Sequence, residues 1–444
     1  MHDKHLNDDL ARLYPQHLAT VRDHADQALE RGGFDHLLIA AGMPGIKFLD
    51  DNHYPYAVSP QFKYWLPLIN APGSWIAYTP GAKPKLIFLQ PRDYWHVVPD
   101  APSGYWVDAF EIVIVRTAED AIAQLPKGHC AVIAEPNAAI AGTQANNPQP
   151  VLDYLHYHRA YKTPYELALM REASRIGSRA HRAAEQAFRR GESELGIHQA
   201  YLAAAGQIDA ELPYSSIVAL NQHGAVLHYM DFTRQPPTPA RSLLIDAGAS
   251  ASGYASDITR VYAAEDASEF QVLIDAMHVN QQSQVAMVRS GRSYADLHLH
   301  AHQQLAMLLK EHDFIRMEAE SAVESGVTRT FFPHGLGHSI GLQVHDVGGF
   351  ASDDHGGTVG RPDGHPFLRM TRTLEPNMVV TIEPGLYFIE MLLAELRDKP
   401  VSNDINWDKV EAFKRYGGIR IEDDVVCTDG APENMTRDAF GQAG

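Results

Sequence analysis

The chain has 444 residues, 45% of them hydrophobic, enough for two or three domains with sizeable cores. A formal net charge of −18 at pH 7 argues against nucleic acid and against anionic membrane surfaces as partners. No apolar run approaches the ~18 residues of a membrane span, and Cys130 and Cys427 are too few for a disulfide framework, which suits a reducing, cytoplasmic compartment.

The charged stretch 1–9 lacks the apolar core of a signal peptide. Residues 12–31 carry the spacing of an amphipathic helix that ends at Arg31-Gly32-Gly33. Strands are expected at 36–40, 75–78, 85–89, 112–115 and 131–134, with helical stretches between them, giving an α/β domain over residues 1–160. Residues 143–150, rich in Asn, Gln and Pro, read as a loop or linker. Thr163-Pro164-Tyr165-Glu166 then supplies an N-cap, a proline at the first helical position and a capping-box glutamate. That helix runs toward Arg190-Gly191, and a second opens near Ser193.

Downstream, acidic residues sit on apolar strands. Asp246 closes the run 242–246 and Asp257 lies in 254–262, with 249–253 as the turn of a hairpin. Their midpoint falls between Ala251 and Ser252, so an unbulged hairpin sets the carboxylates face to face, with Cβ atoms roughly 5 Å apart. Facing like charges destabilise a sheet, and a divalent cation reverses the sign. A lone Asp ordinarily belongs to a turn, and a lone His among 24 ordinarily serves as a hydrogen-bonded residue. The company these residues keep decides otherwise. His334, His338 and His345 fall within twelve residues, and Glu383 ends an apolar strand stopped by Pro384-Gly385. In 418–423, Arg420 and Glu422 share one strand face while Ile419 and Ile421 share the other. Four carboxylates with an imidazole make a hard site for two divalent ions, Mn²⁺ first, with Zn²⁺ and Co²⁺ as competitors. Gly335-x-Gly337 lacks dinucleotide-loop spacing and the surrounding βαβ unit.

The ordered set Asp246, Asp257, His338, Glu383 and Glu422 resembles the five-ligand signature of the pita-bread metallopeptidases, and 334–346 resembles their proline-peptidase segment. The stretches 61–65, 156–163 and 331–338 are similar to those of bacterial prolidases, including organophosphorus acid anhydrolases. The resemblance implies an α/β N-terminal domain over 1–160 and an α+β pita-bread catalytic domain over 161–444. It implies hydrolysis of Xaa-Pro dipeptides by a dimetal-bridged hydroxide, releasing proline, with phosphotriester hydrolysis as a side activity. Aminopeptidase P action on longer peptides, or triester hydrolysis as the main activity, are the alternatives. In this reading Asp257 and Glu422 bridge the ions, Asp246 serves one, and His338 with Glu383 serves the other. Glu383 doubles as proton shuttle and His345 stabilises the oxyanion, with His228 beside them as a catalytic or second-layer histidine. His334 contacts substrate, Arg369 pairs with the substrate carboxylate, and Arg420 orients Glu422 or touches substrate. Tyr214, Leu227, Tyr294, Val344 and Leu368 line the pocket. A homodimer is implied, with Asp51 reaching across to its neighbour's site.

Overall fold

The computed structural model describes residues 2–135 and 144–442. The chain divides into two compact units, Met1–Leu169 with Ala351–Thr358, and Met170–Phe350 with Val359–Gly444.

The first unit is built on a mixed five-stranded sheet of β1 (His36–Ala40), β2 (Trp75–Tyr78), β3 (Lys85–Leu89), β4 (Glu111–Val115) and β5 (Cys130–Ile133), in the order β4-β3-β2-β1-β5. One face buries Leu38, Ala40, Trp75, Ala77, Ile87 and Val132 in a single cluster. The helices are α1 (His2–Gly32), α2 (Pro60–Lys63), α3 (Ala118–Ala123) and α4 (Gln149–Arg159). Helix α1 starts ten residues before the expected position; buried Leu10 extends the apolar stripe of Tyr14, Leu18 and Val21 by one turn, and the residues before it continue the helix as a largely exposed segment. The expected linker is shorter than its composition suggests: Gln149 and Pro150 already form the first turn of α4, where proline is tolerated, and Thr143 lies outside the described residues. The capping box is present: Thr163 N–H donates to Glu166 Oε2 at 2.8 Å, and Glu166 N–H reaches back to Thr163 Oγ1 at 3.4 Å. It opens helix α5 (Pro164–Arg189).

In the second unit, α5 continues and α6 (Glu194–Ala205) follows, capped by Ser193. These helices bury Ala180, Ala184, Phe188, Ile197 and Tyr201 against Val218 of β6 (Ile217–Leu220) and Leu243 and Ile245 of β7 (Ser242–Asp246). Since strand side chains alternate, fixing Leu243 and Ile245 toward the helices turns Asp246 to the opposite face. Strand β7 lies between β6 and β10 (Thr259–Ala263), and the turn region adds the two-residue strands β8 (Ser250–Ala251) and β9 (Tyr254–Ala255).

Here the register differs from the expected one. Asp246 opposes Thr259, Ser250 opposes Ala255, and the turn is Ser252-Gly253, both at positive φ. Gly253 accepts left-handed backbone without strain, so it recruits the second turn position and moves the hairpin centre by one residue. Asp257 therefore stands diagonal to Asp246 on the same face, and Gly248 opposes it. A Cβ at Gly248 would collide with Ser256 O and the Tyr214 ring.

The remaining strands form a long two-stranded ribbon. β11 (Val379–Ile382) pairs with β14 (Asp423–Val426), which also pairs with β15 (Glu433–Asn434), and β12 (Gly385–Tyr387) pairs with β13 (Gly418–Arg420). Both ladders share one register, carried through the gap by Ile421 N–H donating to Pro384 O, so Glu383 faces Glu422 directly. The face-to-face carboxylates expected of the hairpin are found here. Helices α7 (Ser268–Val285) and α8 (Tyr294–Glu311) complete the part of the unit that concerns its sites.

Candidate metal centre

Asp246, Asp257, His338, Glu383 and Glu422 all line one cavity of about 540 Å³ in the second unit. Three parts of the chain deliver them: the hairpin, the ribbon and the irregular, bend-rich segment 334–346. A bridge between Thr259 and Glu422 joins the first two, and one between Ser339 and Val380 joins the third. Ligand atoms of Asp257, His338 and Glu422 lie within 4.8 Å of one another. The Tyr214 hydroxyl sits 2.8 Å from Asp246 Oδ1 and 2.5 Å from Asp257 Oδ1, holding the two together. Thr259 Oγ1 donates to Glu422 Oε2 at 2.7 Å, and Arg420 donates to Asp246 Oδ2 at 2.7 Å.

The electrostatics of the cluster call for a cation. Burial pushes Glu422 well above the ordinary carboxyl range, and Asp257, Glu383 and Asp246 push it further. Burial likewise raises Glu383 to about 7, against the pull of His338 and Arg420. Burial also raises Asp246, against the pull of Arg420. For Asp257, burial is outweighed by His338 and the Tyr214 hydroxyl, so its carboxyl stays low. The chemistry of His338 is specific. Its Nδ1 donates to Ser339 O at 3.0 Å, which leaves Nε2 facing Asp257 Oδ2 at 3.5 Å and Glu383 Oε1 at 3.6 Å. A lone pair aimed at two carboxylates is repulsive, so a proton or a metal ion belongs between them, and a backbone-anchored Nδ1–H is the usual support of a ligating imidazole. The donor set fits divalent ions.

Most other expected residues line the same cavity: Tyr214, Leu227, His228, His334, Val344, His345, Arg369 and Arg420. The His345 ring stands edge-on to His338 at 4.4 Å and is held neutral, lowered to about 4 by burial and by His338 and Arg369. His334 places Nε2 2.8 Å from the Tyr387 hydroxyl and Nδ1 3.6 Å from Glu383 Oε2. Arg369 is exposed at the cavity and has no hydrogen-bond or ion-pair partner among the described residues.

Two expected lining residues are elsewhere. Tyr294 is fully buried and donates to Thr381 O at 2.7 Å, packing behind Gly337. Leu368 is buried beneath Gly335, while its neighbours Phe367 and Arg369 reach the cavity. Asp51 lies in an exposed turn of the first unit, its N–H bonded to Asp50 Oδ1.

Some contributors were not expected. Ile217, Met230 and Phe367 add apolar wall. Tyr387 links His334 to Arg420, accepting from the guanidinium at 2.7 Å. Buried Glu194 accepts from Leu220 N–H, Thr233 N–H and the Tyr229 hydroxyl, each at 2.8 Å, which anchors the loop that carries Leu227 and His228. The helix opening near Ser193 was the signal available for a first-turn glutamate, yet nothing in sequence says that it points inward.

Comparison with known proteins adds to this geometry. Residues 12–157 match the family model described as Xaa-Pro dipeptidase, N-terminal domain, and residues 168–429 match metallopeptidase family M24. A Xaa-Pro dipeptidase of Xanthomonas euvesicatoria pv. vesicatoria (strain 85-10) is 58% identical over 436 residues, covering 98% of this chain and 99% of its own. A Xaa-Pro dipeptidase of Stenotrophomonas maltophilia (strain K279a) is 56% identical over 440 residues, covering 99% of both. Among solved structures, Escherichia coli aminopeptidase P with the inhibitor Pro-Leu superposes with a TM-score of 0.72 at 23% identity, covering 97% of this chain and 95% of that one. The Zn-substituted form of the same enzyme with product gives 0.71 at 23% identity and the same coverage. At that identity the likeness shows the fold: an α/β N-terminal domain followed by an α+β pita-bread domain.

Proposed function

The chain belongs to metallopeptidase family M24, and from that premise we propose that it hydrolyses Xaa-Pro dipeptides in a metal-dependent reaction that releases proline. Asp246, Asp257, His338, Glu383 and Glu422 would hold two divalent ions, and a set of four carboxylates and one imidazole favours Mn²⁺ over Zn²⁺ or Co²⁺. Such ions, when bound, supply Lewis acidity to a carbonyl and lower the pKa of water.

The chain's own groups bind, orient and move protons. Arg369 carries the assignment to dipeptides: a guanidinium with no partner among the described residues, at the rim of the cavity that holds the carboxylate cluster, pairs with the free carboxylate of a C-terminal proline. A phosphotriester offers it no carboxylate. The scissile nitrogen of proline has no hydrogen and leaves as an amine, so it needs a proton. Glu383 takes one from water and passes it to that nitrogen. Neutral His345 donates to the carbonyl oxygen as charge develops there, with His228 beside it. Arg420 restrains Asp246, His334 steadies Glu383, and Ile217, Leu227, Met230, Val344 and Phe367 exclude water around the pyrrolidine and the residue before it.

The protein works as a cytoplasmic homodimer. Phe48 and Leu49, just before Asp51 in the chain and 88% and 91% exposed, offer apolar surface suited to a neighbouring subunit.

The test is metal removal and replacement. Chelator-stripped protein is inactive on Xaa-Pro dipeptides, and two equivalents of Mn²⁺ per chain restore it. Asp257→Asn loses both the ions and the activity. Full peptidase activity in protein that metal analysis finds free of divalent ions would overturn the proposal.

A further inference from the structure

We propose that His298, His302 and His365 form a separate binding site for a borderline transition-metal ion, best matched by Zn²⁺. Helix α8 presents His298 and His302 four residues apart on one face, and His365 meets them from the segment that leads to Arg369. One ring nitrogen from each lies within 4.8 Å of the others, and the three ring centroids are 4.6–4.8 Å apart.

The hydrogen bonds leave this trio incomplete. His298 Nε2 and His365 Nδ1 are 2.8 Å apart, and His302 Nδ1 pairs with Thr328 Oγ1 at 3.0 Å. Among the described residues, His302 Nε2 is buried without a partner, in a residue only 1% exposed. Buried unpaired nitrogens are rare and call for an occupant. The Thr328 contact has the form of the outer hydrogen bond that orients a ligating imidazole and frees its other nitrogen.

Ligation needs neutral imidazole. Burial, followed by the neighbouring rings, lowers His302 to about 2 and His298 to about 3, and burial with Arg329 lowers His365. Arg329 also opposes any cation, so affinity has to come from nitrogen lone pairs. Three nitrogens without a carboxylate select Zn²⁺, Cu²⁺ or Ni²⁺ and reject Mn²⁺, the reverse of the carboxylate-rich centre. Phe332 separates the two places, stacking on His302 at 4.9 Å and meeting His334 edge-on at 4.8 Å. An ion held by the three rings ties the segment bearing Phe367 and Arg369 to helix α8.

Total metal content tests this directly. Mn²⁺-loaded protein is equilibrated with Zn²⁺, freed of unbound ion by gel filtration, and its Mn plus Zn per chain is counted. Wild type holds one ion more than His302→Phe and one more than His365→Ala. The second variant changes a half-buried loop residue and decides the matter if the first misfolds. Failure of the carboxylate centre would lower all three counts together and keep the difference of one. Equal counts in wild type and folded His365→Ala would overturn the site.

Discussion

At the scale of single residues, His338 aims Nε2 at two carboxylates and so calls for a proton or a metal ion between them, while exposed Arg369 offers the cavity a guanidinium with no partner among the described residues. For Arg369 the proposed partner is the substrate carboxylate. A charge-assisted hydrogen bond of this kind contributes roughly 1.5–3 kcal/mol. Arg369→Met is therefore expected to lower kcat/KM on Xaa-Pro dipeptides about ten- to a hundredfold while leaving metal content unchanged, as steady-state kinetics and metal analysis would show. An unchanged kcat/KM would remove Arg369 from substrate binding. The five carboxylate and imidazole positions were legible in sequence because a charge on an apolar strand is costly and so demands a reason. Tyr387 and Glu194 were not: a phenol on a strand packs as readily as it donates, and a first-turn glutamate ordinarily faces solvent. Tyr294 and Leu368 were misread for the same cause, since an apolar or aromatic residue near a motif looks the same whether it lines a pocket or backs it.

Among the elements, the ribbon sets the centre's geometry. Strict alternation in 418–423 placed Arg420 and Glu422 on one face in advance, and the shared ladder then sets Glu422 opposite Glu383. The hairpin register was beyond reach of a midpoint count, because Ser252-Gly253 rather than the centre of the polar stretch takes the turn. Gly337 ties the His338 segment to the ribbon. A Cβ there would strike Thr381 O and the Tyr294 hydroxyl, which are backbone and core and cannot move aside. Gly337→Ala should cost roughly 1–3 kcal/mol of stability and displace His338, whose N–H bonds to Thr381 Oγ1 at 3.1 Å. Thermal melting with metal titration checks this. A variant with wild-type stability and affinity would mean that the close approach does not hold His338.

For the whole molecule, buried histidines set the acid limit. Burial lowers His181 to about 3, although its Nε2 bonds to Ala247 O at 2.9 Å. A histidine depressed below its unfolded value of 6.5 stabilises the fold fully above that pH and loses the contribution as pH falls toward 3. Between pH 6.5 and 5, where unfolded carboxylates remain ionised, the melting temperature should fall with pH, and His181→Gln should flatten that slope. A variant with an unchanged slope would assign the acid limit to other groups. The two-part organisation was visible from the α/β pattern and the capping box at 163–166, whereas the starts of α1 and α4 lie earlier than the composition suggests. The proposed grip of a metal-dependent site on a free proline carboxylate is tested most directly by kcat/KM of the Mn²⁺-loaded protein on an Xaa-Pro dipeptide and on the matching Xaa-Pro-Xaa tripeptide. The dipeptide should be favoured about ten- to a hundredfold, the worth of the lost carboxylate contact. Equal rates on the two would contradict the dipeptidase reading and make the chain an aminopeptidase for longer proline peptides.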